Sequence, residues 1–232
     1  MMTADRKIWL TVLGFFVVYG GLTLLVYPVF SPDVVTRYAP MADEIARGNY
    51  VLGFHPRFGV LFSSLSGLVA ACGVRGDHAC QIVSVLLLSL SAVPLWHLVR
   101  TLLGETIAWW TVSLVLLCDD FARYAADGLR DTGKCLAFAL LGWGAVSGRA
   151  RWFALGLFVL ATLVSYGYAV AAVLLFAWCL WCAFRRPLSW FAFVAPLGAF
   201  ILATALQVAM VHAYTGHWVP QPHFIRLLGG WL

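Results

Sequence analysis

The sequence predicts an all-α integral membrane protein with about seven transmembrane helices and an amphipathic, juxtamembrane helical loop after the first of them. Two observations lead to this fold class. Hydrophobic residues make up 62% of the 232 residues and charged residues only 11%, whereas soluble domains contain about 25% charged residues. The apolar residues also form continuous runs, which is typical of membrane helices and unlike the short alternating segments of a membrane β-barrel.

The net charge of +5 comes from basic residues that stand in short connectors between apolar runs. Such connectors orient helices in a membrane, because positive residues are retained on the cytoplasmic side. A nucleic-acid-binding surface would instead gather Lys and Arg on one face of a soluble domain. We therefore expect membrane lipids around the chain and no nucleic acid bound to it.

The first predicted span covers residues 8–30 and follows Arg6 and Lys7. About 23 residues at 1.5 Å each cross the roughly 30 Å of hydrocarbon in a bilayer. The end of this run, Tyr-Pro-Val-Phe-Ser at 27–31, offers no small-residue cleavage site of the kind that signal peptides carry. The sequence therefore predicts a retained anchor whose N-terminus lies in the cytoplasm.

Residues 31–78 are predicted to form an outer loop with interfacial helices. Asp33 falls in the first turn of a helix, where a negative charge favours the helix dipole, and Gly48-Asn49 ends that helix. Helical spacing gives the segment one apolar stripe, and such a helix at a membrane exit is typical of the interface. The residues of the stripe are Val34, Tyr38, Met41, Ala42 and Ile45.

Residues 58–74 are apolar but only about 17 residues long, at the lower limit for a span. Two placements of this segment are open: a helix that lies beneath the outer headgroups, or a helix that crosses the bilayer. The choice between them reverses the direction in which every later span crosses the membrane. The interfacial placement puts every later basic connector on the cytoplasmic side, as the positive-inside rule requires. Those connectors hold Arg100, Arg149, Arg151, Arg185 and Arg186. The interfacial placement predicts spans at residues 79–99, 106–118, 132–147, 152–165, 167–184 and 188–214. It also predicts an outer loop at 119–131 and an outer tail at 215–232.

The outer loop contains the first group of candidate site residues. Asp33 is the candidate for a catalytic carboxylate, because it stands immediately past the first span, where a water-borne acceptor and a lipid-linked donor can both approach. The alternative is that Asp33 only complements the helix dipole and pairs with Arg37, four residues away. Asp43 is likewise four residues from Arg47 and can pair with it. The other candidates in this loop are Asp43, Glu44 and His55.

A second charged segment, residues 119–134, is predicted on the same outer face. Its four carboxylates could bind a divalent cation through oxygen ligands, although no metal site is predicted with certainty. Its basic residues could instead hold a phosphate, and Arg130 and Lys134 stand one helical turn apart, so they are expected to share a face. The third alternative is a solvated loop that neutralises itself. The acidic residues are Asp119, Asp120, Asp127 and Asp131, of which Asp127 and Asp131 are kept as site candidates.

Four motifs occur in a fixed order along the chain. Asp33-x4-Tyr38-x3-Ala42 leads to Ala46-Arg-Gly48, and His55-Pro56-Arg57-Phe58 follows; then come the apolar tract 81–104 and Gly128-Leu-Arg-Asp131-Thr-Gly-Lys134. This order resembles the C-type (GT-C) membrane glycosyltransferases, which include protein O-mannosyltransferases and lipid A aminoarabinose transferases. The chain resembles their shared seven-span module.

The resemblance implies a function. It implies a sugar transferase that uses a polyprenyl-phosphate donor on the extracytoplasmic face of the bacterial inner (cytoplasmic) membrane and inverts the anomeric carbon. Asp33 would be the catalytic base, and Arg57, Arg130 and Lys134 would bind the donor phosphate. No cofactor is implied with certainty.

Two other functions remain open. Arg57 replaces the second proline of the family's His-Pro-Pro motif, and residues 164–168 lack the basic residue that relatives often carry there. These departures favour a non-catalytic lipid-binding or scaffolding subunit, with a larger membrane partner or as a homo-oligomer. A small transporter would be expected to bury charges within its spans, and the predicted spans contain none apart from Lys134 at the start of the span 132–147. Cys72 and Cys80 could form a disulfide if the outer face is oxidising.

Overall fold

The protein is built from helices joined by short turns. The computed structural model describes residues 4–27, 31–54, 59–163, 167–184 and 190–219, and no β-strand occurs among these residues. In chain order the helices are α1 Ala4–Val26, a π-helical turn Val34–Tyr38, α2 Ala39–Ala46, α3 Tyr50–Gly53, α4 Val60–Ala71, α5 Gly76–Leu103, α6 Glu105–Leu117, α7 Asp119–Ala126, α8 Thr132–Ser147, α9 Ala150–Leu163, α10 Gly167–Phe184 and α11 Phe191–Thr215.

Four of the described helices, α1, α5, α10 and α11, are long enough and apolar enough to cross a membrane. Helices α4, α6 and α9 are also apolar but shorter. Large apolar side chains point away from the bundle on α1 and α10, for example Leu25 (84% exposed) and Phe176 (66% exposed). An integral membrane protein accounts for these faces, because lipid covers them at no hydrophobic cost.

Contacts at both ends of α5 fix the directions of the first helices. Gln81, near the start of α5, donates a hydrogen bond to the carbonyl of Tyr27 just after α1 (3.1 Å). Arg100, near the end of α5, lies 3.7 Å from Asp5 at the start of α1. Helix α1 is therefore antiparallel to α5. Glu105, which begins α6, also lies 3.7 Å from Arg100, so α6 starts at the end of the bundle where α5 finishes.

Helices α8 and α9 form an antiparallel hairpin against α5. The hydroxyls of Thr132 and Ser84 are 3.0 Å apart, near the starts of α8 and α5. The rings of Trp143 and His97 stack with their centroids 4.4 Å apart, near the other ends of these helices. Helix α8 is therefore parallel to α5. Gly148 adopts a left-handed conformation (φ 64°) that turns the chain from α8 into α9.

Helices α9, α10 and α11 complete the bundle. Leu163, the last residue of α9, packs against Gly133 near the start of α8. The indole of Trp178, in the last third of α10, donates a hydrogen bond to the carbonyl of Ala192 at the start of α11 (2.8 Å). Tyr214, near the end of α11, lines a small cavity together with residues of α3. Among the residues that the structure describes, seven helices thus run between the two ends of the bundle: α1, α5, α6, α8, α9, α10 and α11.

The two ends of the bundle are called the Asp33 end and the Arg100 end. The Asp33 end contains the π-helical turn, helices α2 to α4, the start of α5 and the turn between α7 and α8. The Arg100 end contains the start of α1, the end of α5, the start of α6 and the turn between α8 and α9. Each end carries charged side chains, whereas the helices between them are apolar.

Helix α4 lies entirely at the Asp33 end. It has 12 residues, which cover about 18 Å at 1.5 Å per residue, too little to cross about 30 Å of hydrocarbon. It packs closely on α2, because a Cβ on Gly67 would lie 2.3 Å from a methyl carbon of Ile45. At its start, a Cβ on Gly59 would lie 2.5 Å from the carbonyl oxygen of Leu163.

Several predicted boundaries differ from the structure. The helix predicted at 8–30 ends at Val26, since Pro28 in the sequence disfavours a helical residue at Tyr27. The helix predicted at 79–99 extends over Gly76–Leu103. The loop predicted at 119–131 contains α7, because Asp119 and Asp120 favour the start of a helix. The helices predicted at 132–147 and 167–184 have the observed bounds.

Candidate functional site

Asp33 immediately precedes the π-helical turn, at the end of the bundle that is named after it. Its carboxylate is 2.8 Å from a guanidinium nitrogen of Arg37, and both side chains are half exposed. The ion pair expected from the spacing of these two residues is therefore present. The exposure leaves the carboxylate open to water, and its ion-pair partner Arg37 helps to line a cavity of about 230 Å³.

The apolar stripe of this segment is buried, as its helical spacing predicts. Val34 and Ala42 are fully buried, and Tyr38, Met41 and Ile45 are at most 9% exposed. The stripe packs against other helices of the Asp33 end, where the ring of Tyr38 meets that of Phe62 edge-on at 5.6 Å. This packing holds the turn that carries Asp33 against the bundle.

Tyr38 links the two charged segments. The guanidinium carbon of Arg130 lies 5.6 Å from the centroid of the Tyr38 ring, within the range of a cation–π contact. Burial raises the pKa of the Tyr38 phenol to about 12; Arg130 and Arg37 oppose this shift, and Asp33 and Asp131 add to it. The phenol is therefore neutral at physiological pH and lies within electrostatic reach of the charged groups from both segments.

Polar side chains of α5 hold the second segment in place. The amide of Gln81, which is fully buried, donates to the carbonyl of Ala126 at 2.7 Å. The hydroxyl of Ser84 donates to the carbonyl of Leu129 at 2.6 Å. Gly128 (φ 73°) turns the chain closely over α5, so that a Cβ at this position would lie 3.0 Å from the backbone nitrogen of Gln81. These bonds fix the turn from which Arg130 projects.

The two cations of the second segment have different surroundings. Arg130 lies in the turn before α8, which begins at Thr132, and Lys134 lies in the first turn of α8. Lys134 is ion-paired with Asp131, and both are partly exposed. The two cations therefore have different neighbours, Tyr38 for Arg130 and Asp131 for Lys134.

The carboxylate of Asp127 is the buried acidic group of this segment. It is 8% exposed, and its nearest cation, the side chain of Arg123, is 4.0 Å away. Within the described ranges, no group of three or more His, Cys, Asp or Glu side chains is arranged to hold a metal ion. The divalent-cation site considered for residues 119–134 therefore has no support among those residues.

The remaining candidates of the first segment have structural partners. Arg47 pairs with Glu44 at 2.6 Å, so the predicted pair with Asp43 is wrong. The backbone of Arg47 keeps the helical spacing, since its amide bonds to the Asp43 carbonyl, but its guanidinium turns to Glu44. Asp43 instead lies against Gly76, where a Cβ would be 2.8 Å from its carboxylate. A negative charge there stabilises the start of α5.

His55 and Arg57 lie outside the described residues. Cys72 and Cys80 are both free cysteines, Cys72 exposed and Cys80 buried, so the disulfide considered for them is absent. The buried Cys80 packs against the turn at Gly128 instead.

A lateral groove opens between α6 and α8, both of which pack on α5. Its volume is about 280 Å³ and its lining is mostly apolar. Phe121 and Cys135 line the part nearer the Asp33 end, and Leu98 lines the part nearer the Arg100 end. An apolar groove of this volume suits part of a hydrocarbon chain.

Sequence reasoning missed Gln81, Ser84 and the linking role of Tyr38. Gln81 and Ser84 stand three residues apart in an apolar run, which places two polar groups on one helix face and was a usable signal. Nothing in the sequence identifies the carbonyls they bind. Comparison with protein-family models, curated proteins and solved structures found no match for this chain.

Proposed function

We propose that this protein is a membrane glycosyltransferase that transfers a sugar from a polyprenyl-phosphate donor to an acceptor on the extracytoplasmic face, with inversion. The observation that carries the proposal is the contact of Arg130 with Tyr38. It brings a phosphate-binding cation to the segment that carries an exposed carboxylate, Asp33. A transferase of this kind needs a proton acceptor and a cation at one site.

The proposed reaction assigns a role to each group. Asp33 takes the proton from the acceptor hydroxyl or amine as its lone pair attacks the anomeric carbon. The bond between that carbon and the phosphate oxygen breaks on the opposite face, and the electron pair stays on the polyprenyl phosphate. Arg130 and Lys134 stabilise the negative charge that develops there. Arg57 belongs to the same proposal on the basis of the family resemblance.

The surroundings of this end suit both substrates. The cavity lined by Arg37, the ion-pair partner of Asp33, offers an acceptor an aqueous approach. The apolar groove between α6 and α8 offers the prenyl chain a place within the bilayer, and Cys135 in its lining directly follows Lys134. A donor lying in the groove would carry its phosphate towards the cations at the start of α8.

The proposal includes the topology. All seven helices that run between the two ends would span the membrane, with the N-terminus in the cytoplasm and the Asp33 end outside. Helices α6 and α9, with 13 and 14 residues, cover only about 20 Å each, so they require locally thinned bilayer. The bacterial inner membrane is the proposed location, since it contains polyprenyl-phosphate donors.

The direct test replaces Asp33 with Asn and measures sugar transfer from a polyprenyl-phosphate-linked donor by the purified full chain. Loss of a general base is expected to reduce turnover about 100-fold or more. Asp5→Asn, at the Arg100 end, removes the same charge away from the site and should keep turnover within about twofold of the unmodified protein. Undiminished transfer by Asp33→Asn would exclude Asp33 as the base.

A second candidate function is a non-catalytic, lipid-binding or scaffolding subunit with a GT-C-like frame. The ion pairs of Asp33 with Arg37 and of Lys134 with Asp131 favour it, because a closed pair offers neither group freely to a substrate. It predicts co-purification with a larger membrane partner, or self-association, and no transfer by the isolated chain.

A further inference from the structure

At the Arg100 end, the starts of two helices enclose a cavity that the transferase proposal does not use. The cavity has a volume of about 360 Å³ and lies between the turn that leads into α9 and the first residues of α11. Arg149 and Arg151 line it from one side, and both are exposed. Phe191 and Ala192 line it from the other side.

The electrostatics of this cavity are positive. The first bond within α9 runs from the Trp152 amide to the Arg149 carbonyl (3.1 Å), so the amides of Ala150 and Arg151 precede the internal bonds of the helix. Helix α11 begins in the same way, with the Phe193 amide bonded to the Trp190 carbonyl (3.1 Å). Two positive helix-dipole ends therefore meet two guanidinium groups around one space.

No carboxylate balances these charges in the part of the chain that the structure describes around the cavity, where all the lining residues are basic, apolar or glycine. The acidic side chains that the structure describes at this end, Asp5 and Glu105, each lie 3.7 Å from Arg100 instead. Arginine remains charged at any physiological pH. The cavity therefore favours an anion supplied from outside the chain.

The rim of the cavity favours a lipid as the source of that anion. Phe191 (57% exposed) lines the cavity together with the arginines, and Trp190 (78% exposed) directly precedes it in the chain. Exposed aromatic side chains at helix ends are typical of the membrane interface. The guanidinium of Arg151 also lies over the ring of Trp152 at 5.2 Å. The apolar surface of α11 continues from Phe191 into the region where acyl chains would lie.

We propose that this cavity binds the phosphate of an anionic phospholipid headgroup. Arg149 and Arg151 would contact the phosphate oxygens, and the first amides of α9 would face the same oxygens. The adjacent Trp190 and Phe191 would lie among the upper parts of the acyl chains. The site is separate from the Asp33 end and does not depend on the proposed transferase activity.

The test is a titration of the full chain with phosphatidylglycerol in zwitterionic detergent, with bound lipid counted by native mass spectrometry. The double variant Arg149→Gln/Arg151→Gln should bind phosphatidylglycerol about 25-fold more weakly, roughly fivefold for each arginine. The matched control, Arg47→Gln/Arg75→Gln, removes the same charge from exposed residues of the Asp33 end. It should bind within about twofold of the unmodified protein.

Three further arms decide the assignment. Phosphatidylcholine should bind the unmodified protein at least about tenfold more weakly than phosphatidylglycerol, because its headgroup has no net charge. Inorganic phosphate at equal concentration should leave the lipid bound, and displacement would assign the site to free phosphate and overturn the lipid proposal. If the double variant does not fold, Arg149→Lys/Arg151→Lys replaces it, and binding within about fivefold of the unmodified protein is expected. Equal losses in the double variant and the matched control, or no loss in either, would refute the site.

Discussion

Replacing Tyr38 tests whether this side chain positions Arg130. The guanidinium lies 5.6 Å from the ring centroid, and the ring is only 4% exposed, so the cation–π contact contributes about 1 to 2 kcal/mol. Tyr38→Leu removes the ring and should lower kcat/KM for sugar transfer about 5- to 30-fold. Tyr38→Phe keeps the ring and should stay within about twofold of the unmodified protein.

The assay is a double-mutant cycle on kcat/KM with Arg130→Gln. That single variant should lose about 100-fold, because it removes a group that stabilises the developing phosphate charge. Since Tyr38 is proposed to act through Arg130, the double variant should lose no more than Arg130→Gln alone.

The control for the cycle is Phe62→Leu. It removes the aromatic partner on the other side of Tyr38 without touching Arg130, so it reports the effect of looser packing alone. Additive losses in the double variant would refute the positioning role. An equal loss in Tyr38→Phe and Tyr38→Leu would refute it too, because the hydroxyl and not the ring would then be responsible.

Two further predictions concern Tyr38 and the apolar groove. The folded state raises the pKa of the Tyr38 phenol from 10.0 to about 12, so the unfolded chain loses this proton first as pH rises. The contribution of the neutral phenol to the free energy of unfolding is complete below pH 10. It is lost between pH 10 and 12, by at most about 1.4 kcal/mol for each pH unit. The midpoint temperature of thermal unfolding should fall more steeply between pH 8 and 12 for the unmodified protein than for Tyr38→Phe. Parallel curves of midpoint temperature against pH would contradict this. In the groove between α6 and α8, Val115→Trp should displace about two methylene groups of the donor and raise its KM roughly tenfold with kcat nearly unchanged. Leu114→Trp, on the exposed side of the same helix, is the control, and equal KM values for the two variants would count against the groove.

The sequence was sufficient for the features that depend on local periodicity. The stripe from Val34 to Ile45 is buried as its spacing predicts, and the composition predicts the helical membrane architecture. The ion pair of Asp33 with Arg37 also follows from spacing alone, because both residues lie in one continuous helical stretch.

The features that depend on distant contacts could not be predicted in the same way. Gln81 binds a carbonyl 45 residues away, and no helical period determines such a partner. The predicted pair of Asp43 with Arg47 was wrong because the Asp43 carboxylate lies against Gly76, at the start of a helix distant in sequence, and Arg47 pairs with Glu44. Lys134 pairs with Asp131, whereas Arg130 contacts Tyr38 in the other charged segment, and no local spacing determines that contact.

Labelling of Cys72 tests the proposed orientation of the site most directly. Cys72 is exposed and follows α4 at the Asp33 end, so it reports which side of the membrane Asp33, Tyr38 and Arg130 face. If that end is extracytoplasmic, a membrane-impermeant maleimide added to intact cells should label the protein, and Cys72→Ser should abolish the label. Labelling that depends on Cys72 only in inside-out vesicles would place the Asp33 end in the cytoplasm and contradict the proposed transferase.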